Sequence, residues 1–357
     1  MASPGTDIAF SEARTEGYRA FANKIWNAAR FLFMNIDRAK ERTGLRFQSF
    51  NPGVRGELDG TEPLETRWIA SRLHRTTEAV NRALDNYRFD EAASSIYQFF
   101  WVDFCDWYLE IVKKQLNFEE GENNNRSLDV LQVFFTVFES TLRLLSPFMP
   151  FITEEIWHAL YHKLELSLPA KSIALTRYPQ SADFPFDPQV EPRMGLLQTL
   201  IETIRAERKE RGVPEKEPVG VYIIPSNQAV SLALSESGNL FQDTEYIICS
   251  MVKVSAIEYK EFADLEGSLR ALHWRFAGGA EIALLYERQI DIPAERERLT
   301  KDLAKYEKGL TAAERQLGNE AFMAKAPAHI VDGLRKQAAE TKILYDKTKS
   351  ALDALGL

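Results

Sequence analysis

IYQFFWVDFCDWYLEIVKK, residues 96 to 114, decides the fold. Aromatic and aliphatic side chains fall on more than one side of any helix drawn through it, so such a helix must be surrounded by others. The stretch therefore predicts a rod through the centre of a helical bundle, and its aromatic residues are read as core before any ligand role. On either side the helical rhythm repeats. Leu64 to Tyr87, Asp90 to Leu116, Ser127 to Leu145 and Thr153 to Leu160 each keep three- and four-residue apolar spacing, interrupted by ENNN at 122–125 and SPFMP at 146–150. From Glu16 to Lys40, Tyr18, Phe21, Ile25, Ala29, Leu32 and Ile36 form a further amphipathic stripe, followed by loop residues from Gly44 to Glu62. Residues 1–165 are thus expected to form a bundle of about five helices.

Further along, residues 166–192 read as a linker with a short strand, rich in proline from Tyr178 onward. Residues 193–291 alternate helical segments with the β-type runs VGVYIIP, VKVSAIEY, ALHWRF and AEIALLY, the pattern of a small α/β domain. Its first helix, Met194 to Arg211, ends in IRAERKERG. There Arg205, Arg208, Lys209, Arg211 and Lys216 stand among glutamates in the manner of a solvated helix end. In residues 292–357, Leu299, Leu303, Tyr306, Leu310, Ala313 and Leu317 alternate spacings of four and three. Leu334, Ala338, Thr341, Tyr345, Thr348, Leu352 and Leu355 keep the same rhythm beyond the breakers of GNEAFMAKAP at 318–327, which predicts an antiparallel coiled-coil hairpin. The fold class expected is mostly α: a helical bundle, a small α/β domain and a C-terminal hairpin.

Composition bounds the function. A length of 357 residues suggests two or three cores. With 45% hydrophobic and 27% charged residues and no long apolar run, the chain reads as globular, without a membrane span. No basic region followed by an apolar core opens it, so a secretory signal is not expected. Cys105 and Cys249 are too few for a disulfide framework or a four-cysteine zinc cluster, which fits a cytoplasmic location. A net charge of -8 disfavours a broadly basic nucleic-acid binder, so any RNA contact has to come from local basic faces.

Catalytic constellations are hard to find. No glycine-rich phosphate loop or nucleophile elbow is present. Glu155 and His158 have the Glu-x-x-His spacing of di-iron bundles, but no second such pair exists to complete a site. The first helix is more informative. Asn23, Lys24, Asn27, Arg30 and Phe31 share an arc of roughly 120° nearly opposite the apolar stripe. Each mid-helix asparagine costs about 0.5 kcal/mol relative to alanine, which invites a reason outside local folding. Amides can read base edges, cations neutralise phosphate, and an exposed Phe31 would give a base a stacking platform. Packing on a neighbouring domain, or simple solvation of this face, accounts for the same residues, and the spacing alone leaves both open.

ASPGTDIAFSEARTEGYRAFANKIWNAARF at 2–31, FWVDFCDWYLE at 100–110 and LRLLSPFMPFITEEIW at 142–157 resemble the anticodon region of valine–tRNA ligases, and the last is shared with isoleucine and leucine relatives. NEAFMAKAP at 319–327, inside a heptad hairpin, resembles the terminal arm of the valine enzymes, whereas isoleucine enzymes often end in a cysteine zinc module. The resemblance covers essentially the whole chain and implies an anticodon-binding bundle and a tRNA-binding arm. It places Lys24 and Phe31 at anticodon nucleotides, with Asn23, Asn27 and Arg30 adjacent and Arg14 reaching the backbone. On the arm it makes Arg315, Lys325, Arg335 and Lys336 the basic candidates, with ordinary solvated coiled-coil charge as the alternative. It implies valine tRNA and the catalytic domain of the full-length enzyme as partners. The heptads could pair within the hairpin or between chains, and the short breaker segment favours pairing within it and hence a monomer. No His-x-Gly-His is present, and KTKS at 347–350, which faintly resembles the lysine-rich loop of class I tRNA ligases, lies inside a heptad run. ATP and Mg are accordingly expected to belong to a catalytic domain outside this sequence, and the chain alone is not expected to be catalytic. The competing expectation is a free-standing tRNA-binding or coiled-coil scaffolding module.

Overall fold

A computed structural model describes residues 12–44, 62–118, 124–226, 240–261, 272–286, 292–319 and 328–354. They divide into two compact units, Met1–Tyr286 and Glu287–Leu357. The chain is mostly α, as its periodicity predicts.

In the larger unit, α1 (Glu12–Thr43) is followed by α2 (Leu64–Asp85) and then by one long rod. The rod comprises α3 (Phe89–Gln98), a π-helical segment (Phe99–Tyr108) and α4 (Leu109–Gln115). Ile96, Phe100, Phe104, Tyr108 and Val112 form a row at four-residue spacing, each at most 1% exposed. An unbroken α-helix would rotate such a row by roughly 40° at each step and carry its ends to opposite sides. A π turn, at about 4.4 residues, rotates it the other way and keeps the row facing inward. Phe104 lies 5.3 Å from Phe100, 5.6 Å from Phe134 and 5.9 Å from Phe138, so the central rod expected from its aromatic content is found. Burial pushes the Cys105 thiol up to about 12, which makes this cysteine an inert core residue.

Helices α5 (Asn125–Leu145) and α6 (Pro150–Leu164) complete the bundle. Glu139, 1% exposed, accepts from Trp157 Nε1 at 3.0 Å and is paired by Arg143 at 3.0 Å, so α5 and α6 are locked by a satisfied buried carboxylate. On α1, Phe21, Ile25, Ala28, Ala29, Leu32, Ile36 and Ala39 are buried. Tyr18 departs from the predicted stripe at 52% exposed, because the neighbouring surface it would need is absent at that end of the helix among the described residues.

The segment expected to be a linker with a short strand is neither loose nor a strand among its described residues. It forms 3-10 turns at Ile173–Leu175 and Ser181–Asp183 and then lies across α2. Glu154 accepts from the Ile173 amide at 2.9 Å, and Asn81 and His74 meet the carbonyls of Pro179 and Phe184 at 3.1 and 2.9 Å. Backbone groups that a strand would spend on a neighbouring strand are spent on helix side chains instead. Arg67 pairs with Asp187 and closes the strap.

Helix α7 (Val190–Glu210) packs along α2, so the bundle and the α/β part share one unit. Strands β1 (Val219–Pro225), β2 (Val254–Tyr259), β3 (Arg275–Ala277) and β4 (Ala280–Leu285) form a sheet in the order β2-β1-β4-β3. β1 and β2 are parallel, joined through α8 (Leu240–Val252), and the other pairs are antiparallel. The β3–β4 hairpin turns on Gly278 and Gly279, both at positive φ. A Cβ at Gly278 would meet Leu196 of α7 at 2.9 Å, so this turn needs glycine for space as well as for conformation. Arg275 clamps the sheet onto α7 by pairing with Glu207 at 2.5 Å and Glu210 at 2.6 Å.

The smaller unit pairs α9 (Ile292–Leu317) with α10 (Ala328–Ala354). The less exposed positions are Leu299, Leu303, Tyr306, Leu310, Ala313 and Leu317 on α9, with Val331, Leu334, Ala338, Thr341, Tyr345, Thr348 and Leu352 on α10. These are the predicted heptad positions plus Val331, and Asp302 on α9 is partly covered as well. Leu355 lies outside the described residues.

Phe104→Ala is expected to lower unfolding stability by about 3–5 kcal/mol, because the cavity it leaves is walled by rings that cannot collapse into it. Urea denaturation followed by near-UV circular dichroism checks this, and a loss below about 1 kcal/mol would contradict a rod held by this ring.

Candidate nucleic-acid interface

With its apolar side buried, α1 presents a continuous outer stripe. Arg19, Asn23, Trp26, Asn27, Arg30, Met34 and Arg38 are all exposed and recur at three- and four-residue steps. Trp26 and Met34 are each 45% exposed, so large apolar side chains alternate with three arginines. Asn23, Asn27 and Arg30 stand together here, as the helical wheel predicts. Trp26 was not among the predicted contacts. Its place on the same arc is legible from spacing, but an indole in an amphipathic helix is first read as core.

Lys24 and Phe31 lie on the flank of the stripe, against the central rod. Lys24 Nζ is 2.6 Å from Asp106 Oδ1 and sits 4.0 Å above the Trp101 ring. Trp101 stacks on Tyr97 at 5.5 Å, and Phe21 meets Tyr97 at 4.7 Å. The result is an aromatic shelf capped by a lysine, and the rod residues Tyr97 and Trp101 belong to it although the sequence assigns the whole aromatic run to core. The π segment directs Phe100 and Phe104 inward and leaves Trp101 at the surface.

Phe31 corrects an expectation. It is half-buried rather than exposed, 5.9 Å from Phe134, with Lys113 Nζ 6.0 Å from its ring. One position further round the helix than Arg30, its ring reaches the groove between α1 and α5 instead of solvent. Arg14 falls within α1, but its side chain lies outside the described residues.

On the arm, Arg315 is exposed in the last turn of α9 and lines a groove with Glu307, Lys308, Thr311 and Gln316. Arg335 is 3.8 Å from Asp332, and Lys336 is exposed near the start of α10. These three stand toward the end of the hairpin where α9 leads into α10. Lys325 lies outside the described residues.

Among the described residues no three histidine, cysteine, aspartate or glutamate side chains could hold a metal ion together. His158 pairs with Glu154 at 2.9 Å rather than acting with Glu155. Lys347 to Ser350 are helical within α10 and cannot close as a loop over phosphates. No helix of the described residues is long and apolar enough to cross a membrane.

Residues 66–223 match the anticodon-binding domain of tRNA ligase, and residues 291–356 match the valyl tRNA synthetase tRNA binding arm. Valine–tRNA ligase of Bacillus subtilis (strain 168) is 34% identical over 335 residues, covering 94% of this chain and 34% of the relative. The valine–tRNA ligases of Syntrophotalea carbinolica and Dechloromonas aromatica are 33% and 32% identical, cover 99% and 100% of this chain, and are themselves covered to 36% and 35%. A bundle with this match carries the anticodon-binding domain of the tRNA ligases. The arm and these relatives narrow the class: the chain belongs to the valine–tRNA ligase family. It spans about a third of the length of the curated relatives it matches.

The Lys24–Asp106 pair is half open to water, so its contribution to folding is small. A double-mutant cycle with Lys24→Ala and Asp106→Ala is expected to give a coupling of about 0.2–1 kcal/mol in chemical denaturation. A coupling above about 2 kcal/mol would mean that Lys24 is a structural clamp and not a positioned surface cation.

Proposed function

We propose that this chain is the tRNA-recognition part of a valine–tRNA ligase. The bundle of residues 1–165 receives the anticodon stem and loop, and the arm of residues 292–357 braces the outer corner of the tRNA. Residues 193–291 join the two as a small α/β domain. The observation that carries this reading is the α1 stripe, where arginines, asparagines and an exposed tryptophan alternate on one face. Arginines neutralise phosphate, asparagine amides pair with base edges, and the ring of Trp26 or the Lys24-capped shelf of Trp101 accepts an unstacked base. None of these tasks makes or breaks a bond. Aminoacylation with valine, ATP and Mg belong to the catalytic domain that completes the enzyme, and valine tRNA and that domain are the partners of a monomeric, cytoplasmic chain.

Within this division Asn23, Lys24, Asn27 and Arg30 read the anticodon region, with Arg14 at the backbone. Phe31 acts chiefly by holding α1 against α5. On the arm Arg315, Lys325, Arg335 and Lys336 meet phosphates. A scaffolding role for the coiled coil has less support, because the heptad seam is spent inside the hairpin.

Filter binding of valine tRNA and an anticodon-swapped version tests the reading. Binding is expected to be weak, to prefer the valine anticodon and to fall steeply with salt, since phosphate contacts release counterions. Trp26→Ala with Arg30→Ala is expected to weaken binding about tenfold or more and to erase the anticodon preference, at the ~1–3 kcal/mol scale of a stacked base. Phe31→Ala is expected to lower stability first. Equal binding of both tRNAs by the unaltered chain would contradict the bundle as reader.

A further inference from the structure

The solvated helix end expected of IRAERKERG is instead one wall of a cleft. Between α4, α7 and the turn from α8 into β2 lies a hollow of about 590 Å³, lined by Glu110, Lys114, Arg205, Arg208, Lys209, Val213, Glu215 and the segment Ser250–Lys253. Five cations face two carboxylates here in a protein whose net charge is -8. Of the two carboxylates, Glu110 is already taken by Lys113 at 2.6 Å. Lys114, Arg205, Lys209 and Lys253 are exposed and form no side-chain ion pair with any described residue. Like charges so gathered repel one another, and nothing in the folding of α4 or α7 requires all of them.

The framework beneath them is fixed. Arg208, 7% exposed, donates to the carbonyls of Lys253 at 3.3 Å, Pro214 at 2.9 Å and Glu217 at 2.8 Å. It therefore holds the turn from which Lys253, at φ 54°, projects. Tyr246 Oη donates to the Lys114 carbonyl at 2.5 Å and ties α8 to α4. Arg205 is laid over the Trp107 ring at 5.7 Å. Val102, Asp106, Trp107, Glu110, Glu202 and Arg205 line an adjoining hollow of about 530 Å³. That hollow begins at Asp106, the partner of Lys24. The two hollows share Glu110 and Arg205, so the cleft neighbours the side of the rod on which Asp106 receives Lys24 of α1.

We propose that this cleft takes the phosphodiester backbone of the same RNA whose unpaired bases meet α1, with Lys114, Arg205, Lys209 and Lys253 each facing phosphate. The inference rests on the tRNA-recognition reading and extends it from the bundle to the α/β module. Three lysine heads on flexible stems and one arginine, spread over three elements, suit a row of phosphates better than one ion. A single bound phosphate is more often cradled by converging backbone amides.

The test is a salt titration of tRNA binding by the full 357-residue chain and by Lys114→Gln/Lys209→Gln/Lys253→Gln. Arg205 is left in place because it packs on Trp107. Each lost phosphate contact removes about 0.7–0.9 from the slope of log affinity against log salt, so the triple variant is expected to lose about 2 to 3. Binding at low salt should weaken roughly tenfold or more, with the anticodon preference and the thermal midpoint unchanged. An unchanged slope, alongside intact anticodon preference, overturns the cleft and leaves the α1 reading standing. Calorimetry with inorganic phosphate separates the other source: phosphate binding that the triple variant loses, while its tRNA slope stays, makes this a free-phosphate site and also overturns the proposal. If the unaltered chain binds no tRNA, the reading on which the cleft rests fails with it.

Discussion

The helical bundle of the larger unit is arranged around the row Ile96, Phe100, Phe104, Tyr108 and Val112. Four-residue spacing is awkward for an α-helix, and the sequence holds to it through the most aromatic stretch of the chain. A π-helical segment reconciles that spacing with a single inward face. Five large side chains then point at α2 and α5, and the outer positions are determined as a consequence. Tyr97, Trp101, Asp106 and Glu110 fall on the outward line of the rod, which is where Lys24 is received and where the two surface hollows begin. The site is in this sense a by-product of a packing solution.

That dependence explains which parts of the molecule are legible in sequence. The heptad seam of the arm can be read position by position, because a two-helix hairpin has one contact face and its period is strict. Two of the β-type runs, VGVYIIP and AEIALLY, become β1 and β4 almost residue for residue, since alternation and flanking turns are local signals. By contrast, VKVSAIEY starts at the end of α8, and ALHWRF meets β3 only at Arg275 and Phe276. Three features escape. A helical wheel drawn at 100° per residue misassigns Tyr18 and Phe31, whose burial depends on where α5 and the rod stand. Trp101 escapes because the change from α to π turns shifts the outward line within a run that looks uniformly apolar. The strap from Tyr178 to Pro192 reads as a linker, yet its backbone groups are bonded to side chains of α2 some hundred residues earlier.

Net charge misleads for a related reason. An excess of acid argues against an RNA partner only if acid and base are equally available to solvent. Here several acids are paired internally with as many arginines, Glu139 with Arg143, Glu207 with Arg275, Asp187 with Arg67 and Asp103 with Arg72. Such pairing leaves the net charge as it is and makes its local distribution the quantity that matters. Asp103 shows the cost of such placement, since burial raises its carboxyl pKa despite the guanidinium beside it. Exposed cations gather locally on α1 (Arg19, Arg30, Arg38) and around the α4–α7 cleft (Lys114, Arg205, Lys209, Lys253), as well as along the arm. The potential felt by an approaching polyanion depends on those exposed groups, because buried pairs largely cancel within a few ångströms.

Placing the proposed recognition face on α1 rather than on a loop also has an energetic logic. A loop that orders on binding loses roughly 1–2 kcal/mol of backbone entropy per residue. The residues of α1 have already lost it, because Ile25, Ala29, Leu32 and Ile36 are fully buried against the bundle. Long surface side chains still lose rotamer freedom, and here the molecule has reduced that loss selectively. Lys24 is held by Asp106 and Trp101, whereas Lys209 and Lys253 are exposed and form no side-chain ion pair with any described residue. Held groups favour discrimination between bases, whose edges demand fixed geometry. Mobile ones suffice for phosphates, which tolerate a range of approach. For these three lysines the difference between a held and a free cation matches the proposed difference between reading a sequence and gripping a backbone, while Arg205, laid over Trp107, faces the cleft from a fixed place.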